Sequence, residues 1–141
     1  MIQTISTTLF YLVATWCTIV GLVNQTLSSV NDLPWVAEAL AGVDVTPFDP
    51  LFAIWAHWIG MFLIVAGVSL LLLIPVMHDS KRLLLIATVL SVGTVGAQVF
   101  SVLSLGAFGV AAIVLPTVLA LAIVAPVTGW IASNGRKADD A

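Results

Sequence analysis

Long runs of apolar residues, separated by short polar stretches, fill almost the whole chain. Four of these runs could each cross a bilayer as a helix, because about 20 residues at ~1.5 Å each span a ~30 Å hydrocarbon core. The pattern predicts an all-α fold, a bundle of four transmembrane helices in one integral membrane domain covering residues 1–141. The helices are expected at about 4–26, 50–75, 81–105 and 107–132, with a loop at 27–49 and a tail at 133–141.

Residues that cap helices stand at the ends of the apolar runs. Asp49 precedes a proline, a pair that predicts an N-cap followed by the first helical position of the second helix. Asp79 or Ser80 is expected to cap the third helix, and Asn134 with Gly135 to close the fourth.

The loop at 27–49 carries a helical pattern of its own. Asp32 before Leu33-Pro34 is a typical helix start, and Gly42 is a plausible stop. Leu33, Val36, Ala37 and Leu40 fall on one side of such a helix. The pattern predicts a short amphipathic helix lying over the bundle or on the membrane surface, either as a cover for the helix ends or as a docking element or lid.

The basic residues stand in two places, Lys81 with Arg82 and Arg136 with Lys137. Lys and Arg accumulate in short cytoplasmic loops. The loop at 27–49 holds acidic residues and no base. The charges therefore predict that both termini are cytoplasmic (N-in, C-in), that this loop is external, and that the protein lies in the cell (inner or plasma) membrane.

Tryptophan placement agrees in part with this orientation. Trp35, Trp55 and Trp58 fall towards the external side and Trp130 towards the cytoplasmic side, as interfacial aromatic belts require. Trp16 is the exception, because it falls near the middle of the first helix.

The composition narrows the functional classes. Only 8% of the residues are charged, against about 25% in a soluble domain, and the net charge of −3 argues against a nucleic-acid partner. The sequence shows no pairing of a nucleophile with a base, no metal cluster and no phosphate-binding loop. We therefore expect no catalytic residues and no enzyme activity.

Each predicted helix carries a row of small or polar residues. In lipid such rows mark helix faces that pack against protein. The rows are Thr4, Thr8, Tyr11, Thr15, Thr18 and Gln25; Ala53, Ala56, His57, Gly60 and Gly67; Ala87, Ser91, Thr94, Gln98 and Ser101, with a second row of Gly93, Ala97 and Ser101 beside it; and Ala112, Pro116, Thr117 and Ala120. We interpret them as packing faces; the alternative is a polar path through a small transporter.

His57 is the only ionisable candidate inside a predicted span, ~10 Å from its external end at ~1.5 Å per residue. Gln98 is expected at a similar depth and Thr18 close in level, so His57, Gln98 and Thr18 are predicted to share a hydrogen-bonded cluster. Two alternatives remain: a titratable or substrate-contacting residue of a transporter, and a cofactor ligand.

Ala53 stands four residues before His57, and this Ala-x-x-x-His spacing resembles the pigment-binding motif of bacterial light-harvesting polypeptides. The resemblance implies a haem or (bacterio)chlorophyll ligated by His57, with Ala53 leaving room for the flat macrocycle. His78 is expected at the opposite membrane face, some 30 Å away at ~1.5 Å per residue, so it is not a second ligand.

Our leading hypothesis is a non-catalytic structural or accessory subunit of a larger membrane complex, with no cofactor. Its partners would be other integral membrane subunits and lipids, or further copies of the same chain. The alternatives are the pigment- or haem-binding subunit ligated through His57 and a small oligomeric transporter or channel.

Overall fold

The computed structural model describes residues 1–34, 37, 40–104 and 110–139. Four long helices are formed: α1 (Ile2–Asn24), α2 (Asp49–Leu73), α3 (Lys81–Ser104) and α4 (Val110–Asp139). Two short 3₁₀ helices, Val30–Asp32 and Thr46–Phe48, lie between α1 and α2. Among the described residues, four helices are long and apolar enough to cross a membrane, which confirms the predicted all-α, four-span architecture.

Large apolar side chains cover the outside of the bundle. Leu72 on α2, Phe100 on α3 and Ile113 on α4 are 75%, 73% and 74% exposed. Exposing such a surface to water is unfavourable in free energy, whereas lipid chains are as apolar as these residues. The exposure is consistent with a multi-pass helical membrane protein.

The helices run alternately up and down. Thr7 near the start of α1 shares a 3.1 Å hydrogen bond with His78, just before α3, and Lys81 Nζ donates to Asn134 Oδ1 at 3.0 Å. We call this end of the bundle the Lys81 end. The opposite end, where α1 ends and α2 begins, is the Asp49 end. α1 packs against α2 on one side and α4 on the other, and α3 packs mainly against α4.

The apolar core differs between the two ends. Near the Lys81 end all four helices contribute to one buried cluster, formed by Phe10, Ala14, Leu70, Ile74, Met77, Leu84, Ala87 and Ala125. Further towards the Asp49 end the next cluster comes from α1, α3 and α4, and consists of Val13, Cys17, Val95, Val118 and Ala122. α2 is therefore tied to the bundle mainly through α1 in that half.

Glycines set the close approach of α1 and α2. A Cβ added to Gly21 would lie 2.8 Å from the carbonyl oxygen of Gly60, and one added to Gly60 would lie 2.7 Å from that of Gly21. Two turns further along α2, a Cβ on Gly67 would lie 2.8 Å from the carbonyl oxygen of Ala14. The predicted packing role of Gly60 and Gly67 is confirmed, and Gly21 is a partner that the sequence analysis did not identify.

The helix starts agree with the sequence at α3 but not at α2. Ser80 Oγ accepts a 3.2 Å hydrogen bond from the Arg82 amide, so Ser80 caps α3. Asp49 was expected to cap α2, but it is the first helical residue, and Phe48 occupies the cap position without a side-chain hydrogen bond. The Asp49 carboxylate instead accepts from the Val30 amide at 2.9 Å, which ties the loop to α2.

α4 continues beyond its predicted end and contains both of its prolines. The helix passes through Asn134 and Gly135 to Asp139, because the residues that follow include no proline and are good helix formers. Pro126 has no amide N–H, which leaves the carbonyl of Ala122 without its usual helical donor. Ser91 Oγ on α3 donates to that carbonyl at 3.4 Å.

The predicted amphipathic helix in the 27–49 loop lies largely outside the described residues, which omit Trp35, Val36, Glu38 and Ala39. Gly42, its expected stop, has φ +89°, a left-handed conformation that favours glycine.

Before that stretch, Asp32 organises the loop. Its Oδ2 accepts from the Ser28 amide at 2.7 Å and the Ser29 amide at 2.9 Å. The Ser28 amide, then the Ser29 amide and the Ser28 hydroxyl, hold the pKa of the exposed Asp32 carboxyl below its usual range.

The first predicted packing row of α3 is confirmed. Its second row is not, because Gly93 and Ala97 are exposed, and the rows on α1 and α4 are wrong at most positions. Ala87, Ser91 and Thr94 are buried. The exposed members of the other two rows are Thr4, Thr8, Tyr11, Thr15, Pro116, Thr117 and Ala120. Hydroxyls such as that of Thr8, which donates to Thr4 in its own helix at 2.9 Å, are satisfied without facing protein. The buried face of α1 is Ser6, Phe10, Val13, Ala14, Cys17 and Gly21.

Candidate functional site

A cavity of about 380 Å³ lies in the half of the bundle nearer the Asp49 end. All four helices contribute to its walls, and α2 and α3 face each other across it with few direct contacts. We call it the Gln98 cavity. Its lining residues are Trp16, Val20, Val23, Asn24, Leu33, Trp55, Ile59, Phe62, Leu63, Thr94, Ala97, Gln98, Ser101, Val114 and Leu115.

The cavity follows from the glycine contacts described above. Gly21 and Gly60 hold α2 close against α1, whereas α3 packs mainly against α4. α2 and α3 therefore diverge, and the side chains on their facing sides do not fill the space between them. Most of the walls are aliphatic or aromatic, and the polar side chains among them are Asn24, Thr94, Gln98 and Ser101.

Gln98 is oriented by a tryptophan on the opposite wall. Trp16 Nε1 donates to Gln98 Oε1 at 3.2 Å. An indole N–H can only donate, so the amide atom facing it must be the oxygen. The contact thus fixes the orientation of the Gln98 side chain, including the position of its NH₂ group.

The NH₂ group of Gln98 is the chemically distinctive feature of the cavity. Its Nε2 atom is buried and has no hydrogen-bond partner within the described part of the chain. Leaving a buried donor unpaired costs about 1–3 kcal/mol. A cavity wall that keeps such a donor is suited to a ligand that supplies an acceptor.

Trp16 is a site residue that the sequence analysis noted only as an exception to the interfacial belts. The signal that could have identified it was its depth: a tryptophan far from the interfacial belts has an N–H that needs a partner. Its partner is Gln98, on the face of α3 that was correctly predicted to point into the bundle.

His57 lies at the junction of α1 and α2. Its Nε2 donates to the carbonyl oxygen of Gln25 at 3.1 Å, and Gln25 Nε2 donates back to the His57 carbonyl oxygen at 2.9 Å. The imidazole is exposed, and Ala53 is partly buried one turn earlier. Ligation of a macrocycle through Nε2 would require this hydrogen bond to break; the haem or (bacterio)chlorophyll alternative stays a prediction.

The structure does not bring His57, Gln98 and Thr18 into one cluster. The Thr18 hydroxyl donates to Ala14 in its own helix at 2.9 Å. His57 bonds at the level of Gln25 and Gln98 at the level of Trp16, positions that are roughly 14 Å apart along α1 at ~1.5 Å per residue. Counting residues from the helix ends did not predict this difference in level between His57 on α2 and Gln98 on α3.

A second feature lies on the outer surface of α3. A Cβ placed on Gly93 or Gly96 meets no atom of the described residues within 4 Å, and Ala97 beside them is exposed. Val89, 63% exposed, and Phe100, 73% exposed, flank these small residues. We call Gly93, Gly96 and Ala97 the α3 notch.

No protein-family model matches the chain, and no curated protein or solved structure matches it either.

Proposed function

We propose that this protein is a non-catalytic accessory subunit of a larger membrane complex and that it docks a helix of another integral membrane protein in the α3 notch. The observation that carries the proposal is the open space around Gly93 and Gly96. Small residues allow helix backbones to approach closely in lipid. Within this chain no described neighbour uses that possibility at the notch.

The other transmembrane glycines provide the contrast. Added Cβ atoms would lie within 3 Å of an atom of a neighbouring helix at Gly21, Gly60, Gly67 and Gly129. These four glycines are explained by packing inside the bundle. Gly93 and Gly96 weaken α3 by about 1 kcal/mol each relative to alanine on helix propensity alone, and packing inside the bundle gives no compensation. A helix of a partner subunit seated on the notch would supply it.

The exposed polar rows add support. Thr4, Thr8 and Thr15 on α1 and Thr117 on α4 face outward instead of packing within the bundle. The bundle therefore has more faces of the kind that mediate helix association than it uses itself. Contact with neighbouring subunits would occupy them.

Purification in mild detergent from its own membranes tests the proposal. The tagged wild-type chain should retain a membrane protein that photo-crosslinks to a probe at Phe100, on the rim of the notch, but not to one at Leu72 on α2. The double variant Gly93→Leu/Gly96→Leu should lower recovery of that protein about tenfold, because overpacking a close contact costs about 1–3 kcal/mol.

Gly135→Leu is the matched control, because Gly135 is an exposed glycine with open space around it at the other end of the molecule. It should leave recovery unchanged. Equal recovery with the notch variant and with wild type would refute docking at α3. A crosslinked species with twice the mass of the chain would identify the partner as a second copy and replace the accessory role with self-association.

For orientation, we propose that the Lys81 end faces the cytoplasm of the cell (inner or plasma) membrane, with both termini inside. The positions of Lys81 and Arg82 support this, since they lie at the end opposite Asp32 and Asp49. In a Cys17→Ala background, a membrane-impermeant maleimide added to intact cells should label Ser28→Cys. It should label Asp79→Cys only after permeabilisation; the reverse pattern would invert the topology.

A further inference from the structure

The Gln98 cavity combines mostly apolar walls with a donor whose position is fixed by Trp16. Its volume of about 380 Å³ lies within the range of about 300–1,000 Å³ that is usual for small-molecule sites. Gln98 Oε1 is occupied by Trp16, whereas the buried Nε2 lacks an acceptor among the described residues. The arrangement offers a hydrogen bond from Gln98 at a defined place among mostly apolar walls, whose other polar side chains are Asn24, Thr94 and Ser101.

We propose that this cavity binds a membrane-dissolved apolar molecule that carries a carbonyl oxygen, and that Gln98 Nε2 donates a hydrogen bond to that oxygen. The site requires only this chain, and it adjoins the α3 notch through Ala97, which also lines the cavity. Its chemistry suits either the ring carbonyl of a quinone or the ester carbonyl of a lipid.

The class of ligand follows from the walls. The unpaired N–H of Gln98 favours a ligand that supplies an acceptor. The apolar lining would leave an ionic group without compensation, so the acceptor must be neutral. Trp16, Trp55 and Phe62 supply aromatic surface, against which a conjugated ring or an alkyl chain can pack.

Water is a poorer occupant of this site. A buried water needs two to four polar partners, whereas most of the cavity wall is apolar.

Binding can be measured on the purified chain by native mass spectrometry with three probes of similar length. They are a decyl-substituted benzoquinone, a fatty-acid methyl ester and an unsubstituted alkane. We expect one carbonyl probe to bind saturably at one molecule per chain. The tighter of the quinone and the ester identifies the natural source of the carbonyl.

The contribution of Gln98 is measured in a Trp16→Phe background, because Gln98→Leu alone would free the Trp16 N–H to replace it. Adding Gln98→Leu should weaken binding of the carbonyl probe about threefold to tenfold, as expected for one hydrogen bond. It should leave binding of the alkane unchanged. Gln3→Leu in the same background is the matched control, since Gln3 is exposed at the start of α1; it should change neither.

Val20→Phe provides a second variant that leaves Gln98 intact. Val20 lines the cavity, so a larger side chain there should weaken all three probes and would test the site even if Gln98→Leu failed to fold. Absence of saturable binding by both carbonyl probes would overturn the proposal. The proposal would also be overturned if the carbonyl probes bound the Gln98→Leu variant as tightly as its background. Probe affinities that do not change in Val20→Phe would have the same consequence.

Discussion

Gly21 and Gly60 face each other where α1 crosses α2, so closely that a methyl group on either would meet the other's carbonyl oxygen at 2.8 Å or 2.7 Å. The two carbonyl oxygens belong to the backbone, so moving the nearby side chains of Ile64 and Gln25 aside would not make room. It sets the separation of α1 and α2, and with it the divergence of α2 from α3 that leaves the Gln98 cavity open.

Gly60→Ala should destabilise the bundle by about 1–3 kcal/mol, because overpacking at a rigid contact forces the helices apart. Gly93→Ala is the control: it adds the same methyl group in open space and should be neutral or slightly stabilising. Equilibrium unfolding of both variants in detergent measures the difference. Equal stabilities would mean that α1 and α2 are less closely packed than the structure shows.

The hydrogen bond between Trp16 and Gln98 should be measurable as a coupling. In a double-mutant cycle with Trp16→Phe and Gln98→Leu, we expect an interaction energy of about 0.6 kcal/mol and at most about 1.7 kcal/mol, the range found for interhelical hydrogen bonds in membranes. Unfolding free energies of the four proteins give this value. Strict additivity would show that the 3.2 Å contact contributes nothing to stability.

The spans and the α3 face could be predicted from the sequence because both depend on local pattern. A run of apolar residues has few structures available in lipid, and Ser91 and Thr94 lie on a helix whose other faces are apolar. The same reasoning failed on α1, because the Thr8 hydroxyl found its acceptor in its own backbone. A sequence shows that a hydroxyl needs a partner but not whether a local carbonyl supplies it.

The site was harder to predict than the fold, because its residues meet only through the relative offset of the helices. Gln98 was correctly placed inside the bundle, but its partner was Trp16 and not His57. The choice depends on how far α2 slides along α1, which the Gly21–Gly60 contact determines. That contact is one of several glycine pairings compatible with the sequence. Estimating depth by counting residues from the helix ends could not distinguish between them.

In the described part of the chain, Ser6 and Ser91 make buried hydroxyl contacts with the backbone of α4. Ser6 Oγ donates to Ala125 at 2.7 Å, and Ser91 Oγ donates to Ala122 at 3.4 Å. Ser6→Ala and Ser91→Ala should each lower the free energy of unfolding by about 1 kcal/mol or less. In a Pro126→Ala background the restored amide can serve the Ala122 carbonyl. In that background Ser91→Ala should leave the free energy of unfolding unchanged. A loss equal to that in the wild-type background would show that Ser91 acts through packing.

The loop before α2 should respond to acid through Asp32. Its pKa is lowered by the Ser28 and Ser29 amides, so the ionised form is favoured in the folded loop. The stabilisation is complete above about pH 3.9, the ordinary value for aspartate, and is lost as the pH falls through the lower folded-state pKa. The amide NMR signals of Ser28 and Ser29 should titrate below about pH 3.9 and lose this step in Asp32→Asn. A midpoint above that value would contradict the hydrogen bonds.

His57→Ala tests whether the imidazole serves the α1–α2 junction or a cofactor. The structure gives its Nε2 a 3.1 Å hydrogen bond to the Gln25 carbonyl, next to the last turn of α1. Removing it should raise hydrogen exchange at the end of α1 by about threefold to tenfold, as loss of one hydrogen bond allows. Exchange near the Lys81 end should not change. Gln25→Leu should reproduce the effect in part, because it removes the reciprocal 2.9 Å bond to the His57 carbonyl. An intense visible absorption band in the wild-type protein that His57→Ala abolishes would contradict this assignment and establish the macrocycle ligand in its place.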